Sequence, residues 1–268
     1  MKKITSHIKK IIRNIFFYPN NLEIIAVDHY GYKIYTPKTT TGLKLKHSHY
    51  EKNEFNYLMN ELKSEDICID IGANIGAFSL FFASKCRKVI SFEPIRFNCK
   101  LLELSSSINF VENIQIENSI LSDINGECKF LVANETGLSG IISEDINNHK
   151  RYLKKTYNNF IEEIITMKSR TLDSFNIDKV DIIKIDVEGA ELKVIKGAIK
   201  TLLRCKPRLL IIECEEKSLN LYKNSLDELI NKLKVLNYYP YYLIAGNLKP
   251  FDLNIKNTSE NLFFLKNV

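Results

Sequence analysis

A run of apolar residues ends in an acid and two closely spaced glycines at residues 67–76, ICIDIGANIG. The pattern predicts a strand that ends near Asp70 and turns into a helix through Gly72 and Gly76. Glycines at such a turn let the backbone approach a ligand and place that ligand at the helix N-terminus. A second acid, Glu93, closes the next apolar run, where a carboxylate binds ribose hydroxyls in nucleotide-binding folds. These residues therefore predict a site for a nucleoside-containing ligand.

The middle residue between the two glycines, Asn74, indicates which nucleoside-containing ligand the turn binds. A dinucleotide-binding turn needs a glycine there so that the pyrophosphate can approach, and this chain has Asn74. An asparagine side chain obstructs a diphosphate but donates and accepts hydrogen bonds. We therefore expect S-adenosylmethionine, which has no phosphate and carries an amino-acid tail, and not a nicotinamide cofactor. The residues expected to hold it are Asp70, Gly72, Ala73, Asn74, Gly76 and Glu93.

Two later apolar runs also end in acids, Asp186 and Glu213. Because ligands of open α/β sheets bind beyond the carboxyl ends of the strands, we expect both side chains to face the same crevice. Asp186 is the candidate general base for an acceptor hydroxyl, and Glu213 its neighbour. The same pair could instead hold Mg²⁺ or Mn²⁺ through oxygen ligands. Glu188 is interpreted as a helix N-terminal acid and Glu191 as an exposed helical carboxylate.

Short β-branched runs alternate with amphipathic segments along most of the chain. The runs cover residues 67–71, 88–92, 114–120, 180–185 and 208–212. The segments between them place apolar residues at helical spacing. This alternation predicts βαβ crossovers and a mostly parallel, doubly wound α/β sheet. Two C-terminal runs, at 239–244 and 262–265, are predicted to form a hairpin at the sheet edge.

We divide the chain into an N-terminal extension, residues 1–49, and a main domain, residues 50–268. The extension combines a β-hairpin with a basic, isoleucine-rich N-terminal helix that docks on the protein or contacts a membrane surface. Residues 127–175 interrupt the strand–helix alternation, and such insertions commonly form the substrate face of an α/β enzyme. Two histidines, His47 and His49, are those expected on the cofactor side.

The basic side chains of the insertion suggest that it captures a phosphate-bearing group such as a nucleotide-sugar diphosphate. They lie close together at Lys150, Arg151, Lys154 and Lys155. A solvated lysine-rich helix is the alternative interpretation.

Composition places the chain among soluble globular proteins of one or two domains: 268 residues, 45% hydrophobic and 26% charged. A net charge of +6 fits an anionic small molecule, a membrane surface or RNA. None of the six cysteines forms a C-x-x-C pair, so reduced thiols are favoured over a zinc ribbon or a disulfide framework. No apolar stretch is long enough for a transmembrane helix, and a cytoplasmic location is expected.

Four motifs together resemble the FkbM-type S-adenosylmethionine-dependent methyltransferases across roughly residues 50–240. They are DIGANIGAFSL, SFEPIRFN, TLDSF followed by VDIIKIDVEGAELKVIKGA, and PRLLIIE. The resemblance implies the class I methyltransferase fold, a Rossmann-like sheet of seven strands, and O-methylation, mostly of sugars and polyketides. By this resemblance, Asp70, the residues of the glycine turn and Glu93 match the positions that bind the cofactor in the family. It also places Ser119 and Ile120 at the adenine edge.

The sequence as a whole predicts an O-methyltransferase acting on a sugar hydroxyl, with a carbohydrate-like small molecule as its partner. An RNA ribose 2′-O-methyltransferase, or an enzyme for another small molecule, is the alternative. No nucleic-acid partner is expected, because the chain lacks an Asn-Pro-Pro motif, a Pro-Cys pair and a basic stripe interleaved with aromatics. The oligomeric state stays open.

Overall fold

The computed structural model describes residues 23–38, 40–46, 51–133, 139–142, 162–252 and 261–267. The strands are β1 (Ile24–His29), β2 (Tyr32–Pro37), β3 (Ile67–Ile71), β4 (Lys88–Phe92), β5 (Ile114–Glu117), β6 (Ile120–Leu121), β7 (Gly126–Ala133), β8 (Gly140–Ile141), β9 (Glu162–Arg170), β10 (Ile182–Ile185), β11 (Leu209–Glu213), β12 (Tyr238–Ile244), β13 (Asn247–Pro250) and β14 (Asn261–Lys266). The helices are α1 (Thr40–Lys46), α2 (Lys52–Glu61), α3 (Ala77–Ala83), α4 (Arg96–Ile108), α5 (Glu191–Lys196), α6 (Ile199–Cys205), α7 (Glu216–Leu221) and α8 (Leu226–Val235). A 3₁₀ turn covers Leu172–Phe175.

The central sheet has the strand order β5–β4–β3–β10–β11–β14–β12–β13. Its first five strands are parallel, and β14 inserts antiparallel between β11 and β12. The predicted mostly parallel α/β sheet is confirmed. All four residues of β10 are buried, as a central strand covered on both faces requires.

The predicted antiparallel pairing of residues 239–244 with 262–265 is present as β12 against β14, but both strands lie inside the sheet and not at its edge, and the sheet has one strand more than the predicted seven. The β12 hairpin partner is β13, reached through the Gly246 turn, so the described sheet has eight strands. The strand β13 (NLKP) is short and polar and ends in proline, which suits an edge but gives no strand signal in the sequence. The strand β14 lies inside the sheet because its apolar residues Leu262, Phe263 and Phe264 need burial on both faces.

The two faces of the sheet carry separate apolar cores because side chains alternate along each strand. Ile183 and Ile185 pack in the core against α5 and α8, whereas Ile182 faces the other core with Phe78 of α3. The strand register pairs Lys184 with Asp70. Both polar side chains therefore lie on the α3 side of the sheet, at its centre.

The insertion forms a second sheet of its own, with the order β6–β9–β7–β8. The predicted strand 114–120 is wrong at its end: residues 114–117 pair with β4, whereas Ile120 pairs with β9 of the second sheet. The chain leaves the main sheet at Asn118, whose amide donates to the carbonyls of Glu93 and Pro94. Because the side chain of Asn118 satisfies these two carbonyls, the backbone hydrogen-bond ladder between β4 and β5 does not continue past this residue.

The N-terminal hairpin β1–β2 turns at Tyr30 and Gly31, as predicted, and packs on α4. The backbone N–H of Tyr35 donates to Ser105 Oγ at 2.9 Å and that of Lys33 to Asn109 Oδ1 at 2.9 Å. The expected N-terminal amphipathic helix lies outside the described residues. Within the part of the chain that the structure describes, no helix has both the length and the apolar composition needed to cross a bilayer.

Candidate active site

The glycine turn joins the ends of β3 and β10. Gly72 has a φ of +80°, and a Cβ there would lie 1.7 Å from the carbonyl oxygen of Asp186. The N–H groups of Gly72 and Ala73 donate to Phe92 O at 2.9 and 3.0 Å, which ties the turn to β4 as well. Asn74 is held at a φ of +52°, and its buried Oδ1 has no hydrogen-bond partner among the described residues. The turn thus presents an unsatisfied amide oxygen that a ligand could satisfy.

A cleft lies beside this turn. It is lined by Leu45, Asp70, Gly72, Ala73, Asn74, Ile75, Ala77, Phe78, Lys184 and Asp186. The structure therefore brings the predicted turn residues together with Asp186. Gly76 begins α3 immediately behind the cleft with a φ of +90°. Leu45 belongs to α1, so the N-terminal part of the chain contributes one wall.

Asp70 lies on the floor of the cleft and is 1% exposed. It accepts a hydrogen bond from Ser79 Oγ at 2.6 Å, and Ser79 Oγ also lies 2.8 Å from Ser91 Oγ. Burial raises the pKa of Asp70, while the nearby charge of Lys184 and the Ser79 hydroxyl act in the opposite direction. Asp70 on β3 is thus connected through Ser79 on α3 to Ser91 on β4.

Glu93 holds the glycine turn from the neighbouring strand. Its Oε2 accepts from the N–H of Asn74 at 2.9 Å, and its Oε1 from Ile95 N at 2.8 Å and Asn98 Nδ2 at 3.2 Å. Burial raises its pKa to about 7. A carboxylate offers about four acceptor positions, so these three donors leave one for a ribose hydroxyl. The role of Glu93 toward the ribose stays a prediction.

Ser119 and Ile120 lie apart from the cleft lining. Ile120 is 3% exposed and packs with Ile95 and Phe130 in the core of the second sheet. The N–H of Ser119 donates to Glu117 O at 2.9 Å. Ser119 is half-buried, and its contact with adenine stays a prediction.

Asp186 and Glu213 are brought together as an acid pair at the ends of β10 and β11. Their carboxyl groups share a hydrogen bond, and Lys184 Nζ lies 2.8 Å from Asp186 Oδ2. Burial acts to raise the pKa of Asp186, but Lys184 and the hydrogen bond from Glu213 hold it below its usual value. Burial and the charge of Asp186 raise the pKa of Glu213 well above its usual value. The two carboxyl groups therefore titrate as one coupled pair, in which Asp186 is the member that ionises more readily.

Glu188 joins this pair as a third acid. One carboxylate oxygen from each of Asp186, Glu188 and Glu213 lies within 4.8 Å of the others. Oxygen donors of this kind suit Mg²⁺ or Mn²⁺, and the cluster equally suits hydrogen bonding to hydroxyl groups. Glu188 is held at a φ of +56°, so it is more than a solvated helix-terminal acid.

The expectation of an exposed Glu191 is wrong, because its side chain is 1% exposed. Its Oε1 accepts from Gly189 N at 3.0 Å and Val187 N at 3.2 Å. These two N–H groups lie in the loop just before α5 and have no partner within the helix. Their hydrogen bonds to the carboxylate favour a buried Glu191 side chain. Burial raises its pKa to about 7.

Lys184 is the site residue that the sequence analysis missed. It is 2% exposed, lines the cleft and bonds Asp186. The available signal was a single charge inside the apolar run VDIIKID, in a segment predicted to be buried on both faces. Buried lysines require a charged partner, and Asp186 is two residues away on the same strand face.

The insertion borders the acid cluster through β8. Tyr222 at the end of α7 donates a hydrogen bond from its hydroxyl to the carbonyl of Ile141. A Cβ on Gly140 would lie 3.6 Å from both Glu188 Cβ and Tyr222 Oη, in ordinary contact. The second sheet therefore forms a wall beside the acids. The basic residues at 150–155 and the histidines at 47 and 49 lie outside the described residues.

Three buried glutamates make the stability of the fold depend on pH. Burial raises the pKa of Glu93 and Glu191 to about 7 and that of Glu51 to about 8, from an ordinary 4.5. The folded state therefore binds more protons than the unfolded state between about pH 4.5 and 8, and its stability falls as pH rises through that window. We expect a lower melting temperature at pH 8.5 than at pH 5.5, measured by calorimetry.

The control for this expectation is Glu191→Gln, which removes one of the titrating groups and keeps an oxygen for the Gly189 N–H. It should flatten the dependence of melting temperature on pH. A melting temperature that rises steadily from pH 5.5 to 8.5 in the unmodified protein would contradict the assignment of these carboxyls.

Comparison with known proteins places the chain in a family. A model of the methyltransferase FkbM domain matches residues 70–240. The AMB antimetabolite synthetase AmbE of Pseudomonas aeruginosa is 25% identical over 213 residues, 66% of this chain and 10% of AmbE. The methyltransferase sdnD of Sordaria araneosa is 26% identical over 164 residues, 53% of this chain and 63% of sdnD. The chain thus spans about a tenth of the first relative and less than two thirds of the second.

Solved structures of methyltransferases are similar in fold. A methyltransferase FkbM from Methylobacillus flagellatus KT matches 76% of this chain and 44% of its own, at 17% identity and a TM-score of 0.46. A putative methyltransferase from Streptococcus mutans in complex with SAH matches 80% and 96%, at 14% identity and a TM-score of 0.42. The α/β architecture with a mostly parallel central sheet is the expected one. On the match over residues 70–240, the chain belongs to the FkbM methyltransferase family.

Proposed function

We propose that the protein is an S-adenosylmethionine-dependent methyltransferase that methylates a hydroxyl group. The observation that carries the proposal is the position of Asp186. It lines the same cleft as Gly72 and Asn74, and Lys184 and Glu213 hold the pKa of its carboxyl group below the usual value. A charged carboxylate beside a nucleoside-type turn suits the removal of a proton from an acceptor hydroxyl.

The residues of the cleft fit S-adenosylmethionine. The buried Asn74 Oδ1 without a partner suits the ammonium group of an amino-acid tail, and Asp70 supplies a carboxylate on the cleft floor. The carboxylate of Glu93 retains one acceptor position for a ribose hydroxyl. When bound, S-adenosylmethionine supplies a methyl group on a cationic sulfonium.

The chain's own residues would prepare the acceptor. Asp186 accepts the proton of the acceptor hydroxyl, and Glu213 fixes the orientation of Asp186 through their shared hydrogen bond. The walls of the cleft, including Phe78 and Leu45, exclude water from the reacting groups. Alignment of this kind, together with removal of the proton, is what a protein contributes to a displacement reaction.

A hydroxyl-rich small molecule such as a sugar is the acceptor class we favour. The carboxylates of Asp186, Glu188 and Glu213 accept hydrogen bonds from neighbouring hydroxyls, and the second sheet places Tyr222 beside them. The same three acids repel phosphates, which disfavours an RNA ribose. The sugar assignment itself comes from the family resemblance. The six free cysteines accord with a reducing, cytoplasmic site of action.

The cofactor half of the proposal is tested by calorimetry. We expect S-adenosylmethionine and S-adenosylhomocysteine to bind at micromolar concentrations and NAD not to bind. Glu93→Ala should weaken binding by about 1–3 kcal/mol, because charge-assisted hydrogen bonds to the ribose and to the turn are lost. The matched control is Glu103→Ala, on the exposed side of α4. The carboxylate of Glu103 pairs with Lys100 at the surface, so its removal should leave the affinity for S-adenosylmethionine unchanged.

The acceptor half is tested by incubating the protein with methyl-labelled S-adenosylmethionine and panels of nucleotide sugars, free oligosaccharides and RNA. Label in a carbohydrate fraction supports the proposal. Label in RNA alone would replace the sugar with a ribose, and tight NAD binding without any methyl transfer would overturn the cofactor assignment.

A further inference from the structure

We propose that Tyr222 is a positioning residue, which fastens β8 of the second sheet to the acid cluster and so sets the space in which the acceptor meets the acids. The inference rests on the proposed function, because it concerns the acceptor side of that same site. Tyr222 acts through β8 and does not exchange a proton with the reacting hydroxyl.

Tyr222 fills the space between two glycines of the site. It directly follows the last residue of α7. A Cβ on Gly189, in the turn after Asp186, would lie 2.8 Å from Tyr222 Cε2. A Cβ on Gly140 of β8 would lie 3.6 Å from Tyr222 Oη. The ring is therefore packed between the turn that carries the acids and a strand of the second sheet.

The hydroxyl of Tyr222 satisfies a backbone carbonyl that β7 does not pair. Among the described strands, β8 is the outermost of the second sheet and pairs with β7. The N–H of Ile142 donates to Lys129 O at 2.8 Å, and because backbone groups alternate along a strand, those of Ile141 point away from β7. Tyr222 Oη donates to the carbonyl of Ile141, a residue that is 6% exposed. Without the hydroxyl this buried carbonyl loses its partner, which favours the opening of β8 to water.

The strand β8 lies against the acid cluster. A Cβ on Gly140 would lie 3.6 Å from Glu188 Cβ and 3.8 Å from Val187 O. Movement of β8 therefore changes the width of the space beside Glu188. The glycine turn is tied to β4 instead, through the carbonyl of Phe92. Loss of the Tyr222 hydroxyl should thus weaken acceptor binding and leave the affinity for S-adenosylhomocysteine unchanged.

A second side-chain hydrogen bond holds the same strand to β7. Ser139, the residue before β8, accepts at its Oγ from the N–H of Ala133 at 2.9 Å. Ser139→Ala should therefore also loosen β8, and it does so without a change in the Tyr222 ring. This second variant keeps the inference testable if Tyr222→Phe does not fold.

Tyr238 offers a matched control for the loss of a tyrosine hydroxyl. Its side chain is buried, and its hydroxyl donates to the carbonyl of Pro207 at 2.8 Å. Pro207 precedes β11 and so lies at the opposite end of that strand from Glu213. Tyr238→Phe thus removes the same kind of hydrogen bond far from the acids. It separates a general loss of stability from the loosening of β8.

The first test is amide hydrogen exchange, followed by NMR on the whole chain without cofactor or acceptor. In Tyr222→Phe and in Ser139→Ala, exchange at the Ile142 amide should rise on the order of tenfold, the effect of one hydrogen bond on a local opening equilibrium. The amides at 72–73 in the glycine turn should keep their rates. In Tyr238→Phe, the Ile142 amide should exchange as in the unmodified protein.

The second test is the kinetics of methyl transfer to the carbohydrate that takes up label in the panel described above. Tyr222→Phe should raise the KM for this carbohydrate by about tenfold, with kcat and the affinity for S-adenosylhomocysteine nearly unchanged. Tyr238→Phe should leave this KM unchanged, even where its melting temperature falls as far as that of Tyr222→Phe.

Unchanged exchange at Ile142 in both β8 variants would overturn the inference. An equal rise in KM in Tyr222→Phe and Tyr238→Phe would do the same, and so would failure of both Tyr222→Phe and Ser139→Ala to fold, because these outcomes show a purely structural role. The proposed function fails on different results, namely no binding of S-adenosylhomocysteine or no label in any carbohydrate. Because exchange is measured without either ligand, the two failures are distinguishable.

Discussion

Asp186→Asn is expected to lower kcat by about 10²–10⁴ and to leave the affinity for S-adenosylhomocysteine nearly unchanged. The asparagine keeps the shape of the side chain but cannot accept the proton of the acceptor hydroxyl. The carboxylate is ionised in the folded protein, since Lys184 and Glu213 hold its pKa below the usual value against the effect of burial. The measurement is single-turnover methyl transfer, with calorimetry of S-adenosylhomocysteine beside it.

The matched control is Glu213→Gln. Burial and the charge of Asp186 raise the pKa of Glu213 well above its usual value, and a glutamine reproduces the neutral, hydrogen-bond-donating form of this side chain, so kcat should fall by less than about tenfold. Equal and large losses in both variants would contradict the assignment of the charge to Asp186. Near-full activity of Asp186→Asn would remove the general-base role altogether.

A chelator separates proton acceptance from a metal role for the same acids. If the cluster of Asp186, Glu188 and Glu213 holds Mg²⁺ or Mn²⁺, EDTA abolishes activity of the unmodified protein and the ion restores it. If Asp186 acts as a base alone, we expect no response to EDTA. The two roles therefore give opposite results in one titration.

Gly72→Ala is expected to be the most damaging of the small substitutions in the cofactor turn. Its Cβ would lie 1.7 Å from the backbone oxygen of Asp186, and backbone cannot move aside as the end of a side chain can. The clash separates the ends of β3 and β10 and so disrupts the glycine turn and the position of Asp186 together. We expect the melting temperature to fall by more than about 10 °C, or the protein to be insoluble, and S-adenosylhomocysteine binding to be lost.

Gly31→Ala isolates the part of this effect that comes from backbone conformation. Gly31 has a φ of +83°, close to the +80° of Gly72, but nothing lies within 4 Å of its added Cβ. A left-handed conformation costs a non-glycine residue about 1–2 kcal/mol, which for a chain of this size is a fall of a few degrees in melting temperature. Similar losses in both variants would show that strain, and not the contact with Asp186, makes Gly72 necessary.

The strands that carry the site were predictable from the sequence. The runs at 67–71 and 88–92 match β3 and β4 residue for residue, and 180–185 contains β10. Apolar, β-branched runs of this length have little alternative to burial on both faces of a sheet, so local pattern and tertiary environment agree. The acids that follow these runs had to meet at one edge, because parallel strands end on the same side.

The directions of individual side chains were decided by the tertiary structure. The local sequence around Glu191 does not differ from that of a solvated acid in the first turn of a helix. Its side chain is buried because it accepts hydrogen bonds from the N–H groups of Val187 and Gly189. The strand β14 lies between β11 and β12 because its apolar side chains are buried there, and this leaves the polar β13 at the edge of the sheet. Neither arrangement is visible within a window of neighbouring residues.

The sequence by itself determined the family, the glycine turn and the acids at the ends of the strands. Only the tertiary structure decided that Lys184 bonds Asp186, that the pKa of Glu213 is raised well above its usual value, and that the second sheet closes one side of the acid cluster. The physical reason is that ionisation depends on burial and on charges brought close from distant parts of the chain. The spacing of apolar residues indicates which face of a helix or strand is buried, but it does not indicate which charged side chains meet at that face.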